Sequence, residues 1–170
     1  MNIQDYKKKL KKPMLPRTLI FYVRGNEVLL GHKKRGFGKG KINGIGGKVE
    51  KDETIEQGAI REFKEETGVI LSTVKSVGVI EFYFPHITDE SWNQCVHVFL
   101  SSEGVGEPTE TEEMLPQWYK INDIPFDLMW DDDKYWLPQV LKGKKLNAEF
   151  MFNELLNTAE QNLEFFELQS

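Results

Sequence analysis

The chain has 170 residues, 39% hydrophobic and 29% charged, with eleven Phe, five Tyr and four Trp, a composition that excludes a disordered or low-complexity polymer and fits one folded domain. A net charge of −5, from 27 acidic against 22 basic residues, argues against nucleic-acid partners held by their phosphate backbone and favours a protein that recruits a cation. No apolar run reaches the roughly 18 residues of a membrane span or forms a cleavable leader, and the lone Cys95 has no intrachain disulfide partner, so the expectation is a cytoplasmic protein with no membrane partner.

Residues 1–16, lysine-rich from Lys7 to Lys12 and closed by Pro13 and Pro16, read as a flexible basic arm ahead of a single domain over 17–170. Thr18 to Val23 is β-branched and aromatic, Gly25-Asn26 is a turn signal, and Glu27 to His32 resumes the apolar run; together they predict a hairpin. Between Arg35 and Gly47 the glycines (Gly36, Gly38, Gly40, Gly44, Gly46, Gly47) are too dense for a regular element and mark a loop that turns tightly or approaches something closely. From Thr54 to Thr67 the spacing becomes helical. Ile55, Ala59, Phe63 and Thr67 follow at i, i+4, Ile60 widens the stripe, and Gly68 supplies the stop. Val74 to Phe84 and Cys95 to Leu100 read as strands separated by the loop Pro85 to Asn93, with a second loop from Ser101 to Thr111 and a strand from Met114 to Ile121. Asp131 to Leu141 predicts a short helix with an Asp cap, and Ala148 to Phe152 pairs with Leu163 to Leu168 as a last hairpin, Glu154 to Gln161 being equally open to a helix. With no internal repeat and no compositional break, the fold class is α/β (α+β): a mixed sheet flanked by a few helices.

The predicted helix concentrates acid. At about 100° per residue Glu62 and Glu66 lie nearly in line with Glu65 beside them, so the three share one edge. Like charges at these spacings oppose helix formation unless a cation sits among them. Upstream stand Gly46, Gly47 and Glu53, and the run from Gly47 to Val69 resembles the Nudix box, G-x5-E-x7-R-E-U-x-E-E-x-G-U. Gly47, Glu53, Arg61, Glu62, Glu65, Glu66 and Gly68 fill the fixed positions, with Phe63 and Val69 in the bulky ones. The resemblance implies a catalytic loop-helix-loop on an α/β/α sandwich, and hydrolysis of a nucleoside diphosphate linked to another group, with Mg²⁺ or Mn²⁺ as cofactor. Hard carboxylate ligands suit those ions, whose remaining positions water and substrate phosphate complete. Carried over residue by residue, Glu62 and Glu66 are the principal ligands with Glu65 supporting and the Gly46 carbonyl joining them. Glu53 and Arg61 orient the carboxylates, Arg61 being open also to phosphate contact. Glu113, outside the box, is the candidate further acid, as ligand or as base.

Beyond the box, Gly31 to Gly38, Asn43 to Lys48, Val96 to Phe99 and Met129 to Trp136 look like the branch of the family that hydrolyses oxidised purine nucleoside triphosphates to monophosphate and pyrophosphate. The resemblance implies a small-molecule nucleotide as partner, and the chain is expected to act as a monomer. It implies substrate contacts from Thr18, Lys33, Phe37, Asn43, Ile45, Gly46, Gly47, Lys48, Phe82, Trp130, Asp131, Asp132 and Asp133. The residue types agree with a purine pocket. Trp130 offers a flat face, Phe37, Phe82 and Phe84 an aromatic wall, and Asn43 both donor and acceptor. In that branch the pair corresponding to Asp132-Asp133 faces the base, and two adjacent buried carboxylates should share a proton. Ile42, Asp131, Cys95 and a longer loop containing Trp92 depart from the branch around the pocket. Two alternatives remain: a hydrolase of another nucleotide (dGTP, an alkylated purine, ADP-ribose), or a non-catalytic nucleotide-binding module, which the intact Glu62, Glu65 and Glu66 oppose.

Overall fold

The structure, a computed structural model, describes residues 1–167. In chain order its elements are α1 (Ile3–Lys7), β1 (Pro16–Arg24), β2 (Glu27–Lys33), β3 (Ile42–Asn43), α2 (Ile55–Thr67), β4 (Ile70–Leu71), β5 (Lys75–Tyr83), β6 (Gln94–Ser101), β7 (Gly104–Val105), β8 (Met114–Lys120), α3 (Asp133–Leu141), β9 (Lys144–Phe152) and β10 (Thr158–Glu167). The predicted hairpin forms, turning at Gly25 with φ +61°, but β1 and β2 pair only from Tyr22↔Leu29 to Arg24↔Glu27 before parting. The segment 42–48 enters the gap. It pairs with β2 through Gly31↔Asn43 and His32↔Ile42, then with β1 through Ile20↔Ile45 and Arg17↔Lys48. The close approach demands glycine, because a Cβ on Gly46 would lie 1.9 Å from the Thr18 carbonyl oxygen.

The main sheet runs β10-β9-β5-β6-β1-β2-β3, with β8 also paired to β2. It is mixed: β1 with β6 and β5 with β9 are parallel, and the other pairs are antiparallel. Alternation along β1 sends side chains to two cores. Ile20 and Tyr22 join Ala59 and Phe63 of α2, while Phe21 joins Trp136, Leu137 and Val140 of α3. Edge-on aromatic pairs mark both contacts, Tyr22–Phe63 at 5.9 Å and Phe21–Trp136 at 5.7 Å. The sheet thus lies between α2 and α3, as the α/β/α expectation requires.

Helix α2 forms where its pattern predicts. Thr54 and Gln57 build a reciprocal capping box, Gln57 N–H to Thr54 Oγ1 at 3.1 Å and Thr54 N–H to Gln57 Oε1 at 2.8 Å. Gly68 ends the helix at φ +81°. Ala59, Phe63 and Thr67 are buried, fixing the rotation that leaves the glutamate edge beside the sheet.

Three expectations are corrected. The first sixteen residues are not a free arm: α1 buries Ile3 and Tyr6 against Tyr83 and Met151, Asn2 caps its first turn at 2.8 Å, and Lys7 pairs with Glu149 at 2.9 Å. Ile3, Tyr6, Leu10 and Met14 cluster there, an apolar stripe that the charge run masks. Glu154 to Gln161 is not helical, because the chain turns through Leu156 at φ +62° and enters β10 at Thr158. The predicted loops carry short elements of their own: β3, β7 paired with β4, and a 3₁₀ turn at Glu90–Trp92. The hairpin β9–β10 forms as expected, although Leu168, its last predicted residue, lies outside the described residues.

Docking of α1 should be measurable. Ile3 is fully buried, so Ile3→Ala is expected to lower stability to urea by about 2–4 kcal/mol. A loss below about 0.5 kcal/mol would mean that the segment is not packed.

Candidate functional site

Arg61 organises the acidic edge of α2. Its Nε donates to Glu53 Oε2 at 2.9 Å and its Nη2 to Glu53 Oε1 at 2.6 Å, a two-pronged pair. Nη1 reaches Glu62 Oε1 at 3.1 Å and Glu65 Oε2 at 3.2 Å, and Nη2 also donates to the Lys48 carbonyl at 3.0 Å. The guanidinium therefore ties the helix to the 42–48 segment. Its hydrogen bonds, with one from the Glu50 N–H, hold the Glu53 carboxyl down at about 2.

Glu62 and Glu66 shift the other way from Glu53. Burial pushes Glu62 up against the opposing pull of Arg61, and raises Glu66 to about 7 despite Lys33, whose Nζ stands 4.0 Å from Glu66 Oε1. Glu66 Oε2 is buried with no hydrogen-bond partner among the described residues. Gly47 makes room for the Glu62 carboxylate, since a Cβ there would meet its carboxyl carbon at 2.5 Å. Among the described residues no three carboxylate, histidine or cysteine side chains form a ready-made metal cage. An octahedral ion that keeps water and takes substrate oxygens needs only one or two protein carboxylates, so the half-neutralised Glu62 and the orphaned Glu66 oxygen fit it. Glu113 takes hydrogen bonds from Arg35, Nε at 2.8 Å, and its carboxyl is held below the usual range.

These carboxylates open into a cavity of about 410 Å³. On the α2 side it is lined by Glu62, Glu65, Glu66, Gly46, Gly47 and Lys48; on the α3 side by Trp130, Asp132 and Asp133; with Phe37, Phe82, Phe84 and Phe152 between. Trp130 stacks on Phe37, centroids 5.3 Å apart and planes 11° from parallel, and the Lys41 ammonium sits 5.1 Å from the Trp130 ring centre. Phe84 stacks on Phe152 at 4.9 Å. Asp132 and Asp133 are both buried. Burial raises both, the neighbouring Asp132 charge raises Asp133 further, and Lys41 opposes that rise. Asp132 Oδ2 accepts the Trp136 indole N–H at 2.8 Å, which fixes this carboxyl to the core.

Of the residues expected at the site, Thr18, Lys33, Phe37, Asn43, Gly46, Gly47, Lys48, Phe82, Trp130, Asp132, Asp133, Glu62, Glu65, Glu66 and Glu113 line the cavity. Glu53 and Arg61 stand behind it, gripping each other. Two expectations fail. Ile45 faces the α2 core and is fully buried there, because pairing with Ile20 fixes its side of the sheet. Asp131 turns away to Lys134 Nζ at 2.9 Å and the Thr158 N–H at 2.8 Å, and so neither caps α3 nor lines the cavity. Arg17, Leu19, Gly44, Gln94, Val96, Met114 and Phe152 line it unforeseen. Arg17 and Val96 are register partners across β1 and β6, a pairing that no local motif reveals. Among the described residues the histidines stand outside this lining, His32 meeting Tyr119 Oη at 2.7 Å.

The carboxylate helix, its glycine segment and the mixed sheet define the class. The NUDIX domain model matches residues 14–140, and the chain belongs to the Nudix family. It is 46% identical over 140 residues to the oxidized purine nucleoside triphosphate hydrolase of Mus musculus, covering 81% of this chain and 86% of that protein. With the protein of the same name from Danio rerio it shares 47% over 135 residues, covering 79% and 85%. The crystal structure of the MutT protein from Bacillus halodurans, 21% identical, aligns with a TM-score of 0.75 over 89% of this chain and 98% of that one, which shows the shared fold.

The raised Glu66 sets a pH dependence. The folded chain keeps a proton there up to about pH 7 that the unfolded chain releases near its ordinary value, so stability falls as pH rises between the two and the full cost persists above. Glu66→Gln should therefore be more stable than the wild type by about 1–3 kcal/mol at pH 8 in chelator, with little difference near pH 4. Urea denaturation at the two pH values checks this; equal stability at pH 8 would contradict it.

Proposed function

We propose that the protein hydrolyses oxidised purine nucleoside triphosphates, such as 8-oxo-dGTP and 2-hydroxy-dATP, to monophosphate and pyrophosphate, cleansing the cytoplasmic precursor pool. One observation carries the reading: a single cavity joins the α2 carboxylates to a buried aspartate pair beside Trp130. The relatives of that name, aligned over most of their length, support it.

In this reading Glu62 and Glu66 hold a divalent cation, Mg²⁺ or Mn²⁺, with Glu65, Glu113 and the Gly46 carbonyl contributing. When bound, the ion neutralises the polyphosphate and polarises the phosphorus under attack. Arg61 keeps Glu53, Glu62 and Glu65 aimed and separates their charges. Glu113 acts as a ligand rather than a base, because Arg35 keeps it ionised and weakly basic. Lys33 and Lys48 face the phosphates or sugar, with Thr18 adding a hydroxyl; Asn43 faces the base edge. Phe82 and Trp130 enclose the purine, Phe37 giving up its place on the indole face to the base. Asp132 and Asp133 share one proton, the neutral partner donating to a base carbonyl and the ionised one accepting from a base N–H; moving the proton accommodates oxidised guanine or adenine. The chain from residue 17 acts as one hydrolase domain, with the N-terminal residues packed on it.

Pyrophosphate release at saturating Mg²⁺ from 8-oxo-dGTP, 2-hydroxy-dATP and dGTP, set beside AMP release from ADP-ribose, tests the proposal, with Glu66→Gln as the blank. A preference of about tenfold or more in kcat/KM for the oxidised purines, about 1.4 kcal/mol, is expected. Equal or faster turnover of dGTP or ADP-ribose would overturn the substrate assignment. Asp132→Asn should shift the ratio of the two oxidised substrates by about fivefold or more; an unchanged ratio would remove the shared-proton account.

A further inference from the structure

Gln94 opens β6 directly opposite Phe82 of β5 in the antiparallel register, and both side chains line the cavity. Gln94 is 8% exposed, and its Nε2 is buried with no hydrogen-bond partner among the described residues. Its neighbours on that wall, Phe82, Phe84, Val96 and Phe152, are apolar. A buried amide without a partner destabilises a fold, and a methionine of similar length would fill the space without that cost. The amide is therefore explained by a partner that arrives with the ligand.

The residue beside it is held from an unexpected quarter. Asn93 Oδ1 accepts the Phe84 N–H at 2.8 Å, and Asn93 Nδ2 donates to Tyr6 Oη at 3.0 Å. The tie closes the base of the loop between β5 and β6, with Phe84 at one end and Gln94 at the other. Lys11 adds a second tie, its N–H donating to Glu90 Oε1 at 3.0 Å. Inside the loop Trp92 packs edge-on against Phe37 at 4.7 Å and against Phe84 at 5.4 Å. The N-terminal segment is thus connected to the aromatic wall through Asn93.

We propose that Gln94 reads the purine base, donating an amide N–H to a carbonyl oxygen or ring nitrogen on the base edge, and that Tyr6 is a positioning residue that holds it through Asn93. The inference rests on the nucleotide-hydrolase reading above and assigns the residue that reads the base from the β5–β6 wall.

The test uses the full chain with 8-oxo-dGMP as probe, titrated by calorimetry, alongside steady-state kinetics on 8-oxo-dGTP. Gln94→Met is expected to bind the monophosphate about tenfold more weakly and to raise KM by a similar factor with kcat within about twofold, while its urea midpoint stays equal or rises. Binding and KM equal to wild type would overturn the role of Gln94. Tyr6→Phe, which removes only the hydroxyl, should raise KM about threefold in the wild type and leave it unchanged in the Gln94→Met background. An equal effect in both backgrounds, or none in either, would overturn the positioning role. A wild type that shows no preference for oxidised purines refutes the parent reading instead, so the two failures are told apart.

Discussion

Arg61 grips Glu53 with two prongs and uses its remaining donors on Glu62, Glu65 and the carbonyl of Lys48, so one guanidinium holds a crowd of like charges on one helix edge and binds that helix to the glycine segment. Without it the carboxylates would repel one another and swing to solvent. The wedge of residues 42–48 between β1 and β2 depends on the same contact, because Lys48 is where the segment leaves the sheet for α2. The arrangement is asymmetric. Glu53 is satisfied and serves as an anchor, whereas Glu66, buried and without a partner for one oxygen, is left in electrostatic debt.

The two sides of the cavity work by different physics. On the α2 side charge is concentrated and partly compensated, which suits an anionic chain of phosphates arriving with a cation. On the α3 side the walls are aromatic and the charges are two carboxylates, sunk in the protein and lifted above their ordinary range, with the Lys41 ammonium over the Trp130 ring. There a hydrogen bond to a base carries more weight than in water, because the alternative partner is excluded. The fold keeps the sides distinct by drawing them from opposite faces of one sheet.

The amino-acid pattern made much of this legible. The box residues are spaced by helix geometry, so their convergence is a local property; the caps at Thr54 and Gly68 and the alternation along β1 are local too. What escaped is what depends on partners distant in sequence. Arg17, Gln94, Val96 and Phe152 reach the cavity only through strand register, and Ile45 leaves it for the same reason. Asp131 reads like its two neighbours until β10 supplies an N–H for it. The N-terminal helix is hidden by the lysine run that starts at its last residue, although Ile3 and Tyr6 within it, with Leu10 and Met14 beyond, already repeat at helical spacing.

Phe37 already lies flat on Trp130, on a loop whose glycines at 36 and 38 hold positive φ, +79° and +81°. A planar base that takes that face of the indole exchanges one stacked ring for another instead of covering bare apolar surface. The gain from stacking is then largely cancelled by the stack that is given up, and so is the penalty of keeping an aromatic slot open to water. Affinity for the flat shape of a purine, common to every purine of the nucleotide pool, is thereby muted. The differences that remain between one purine and the next are those written in donors and acceptors along the base edge.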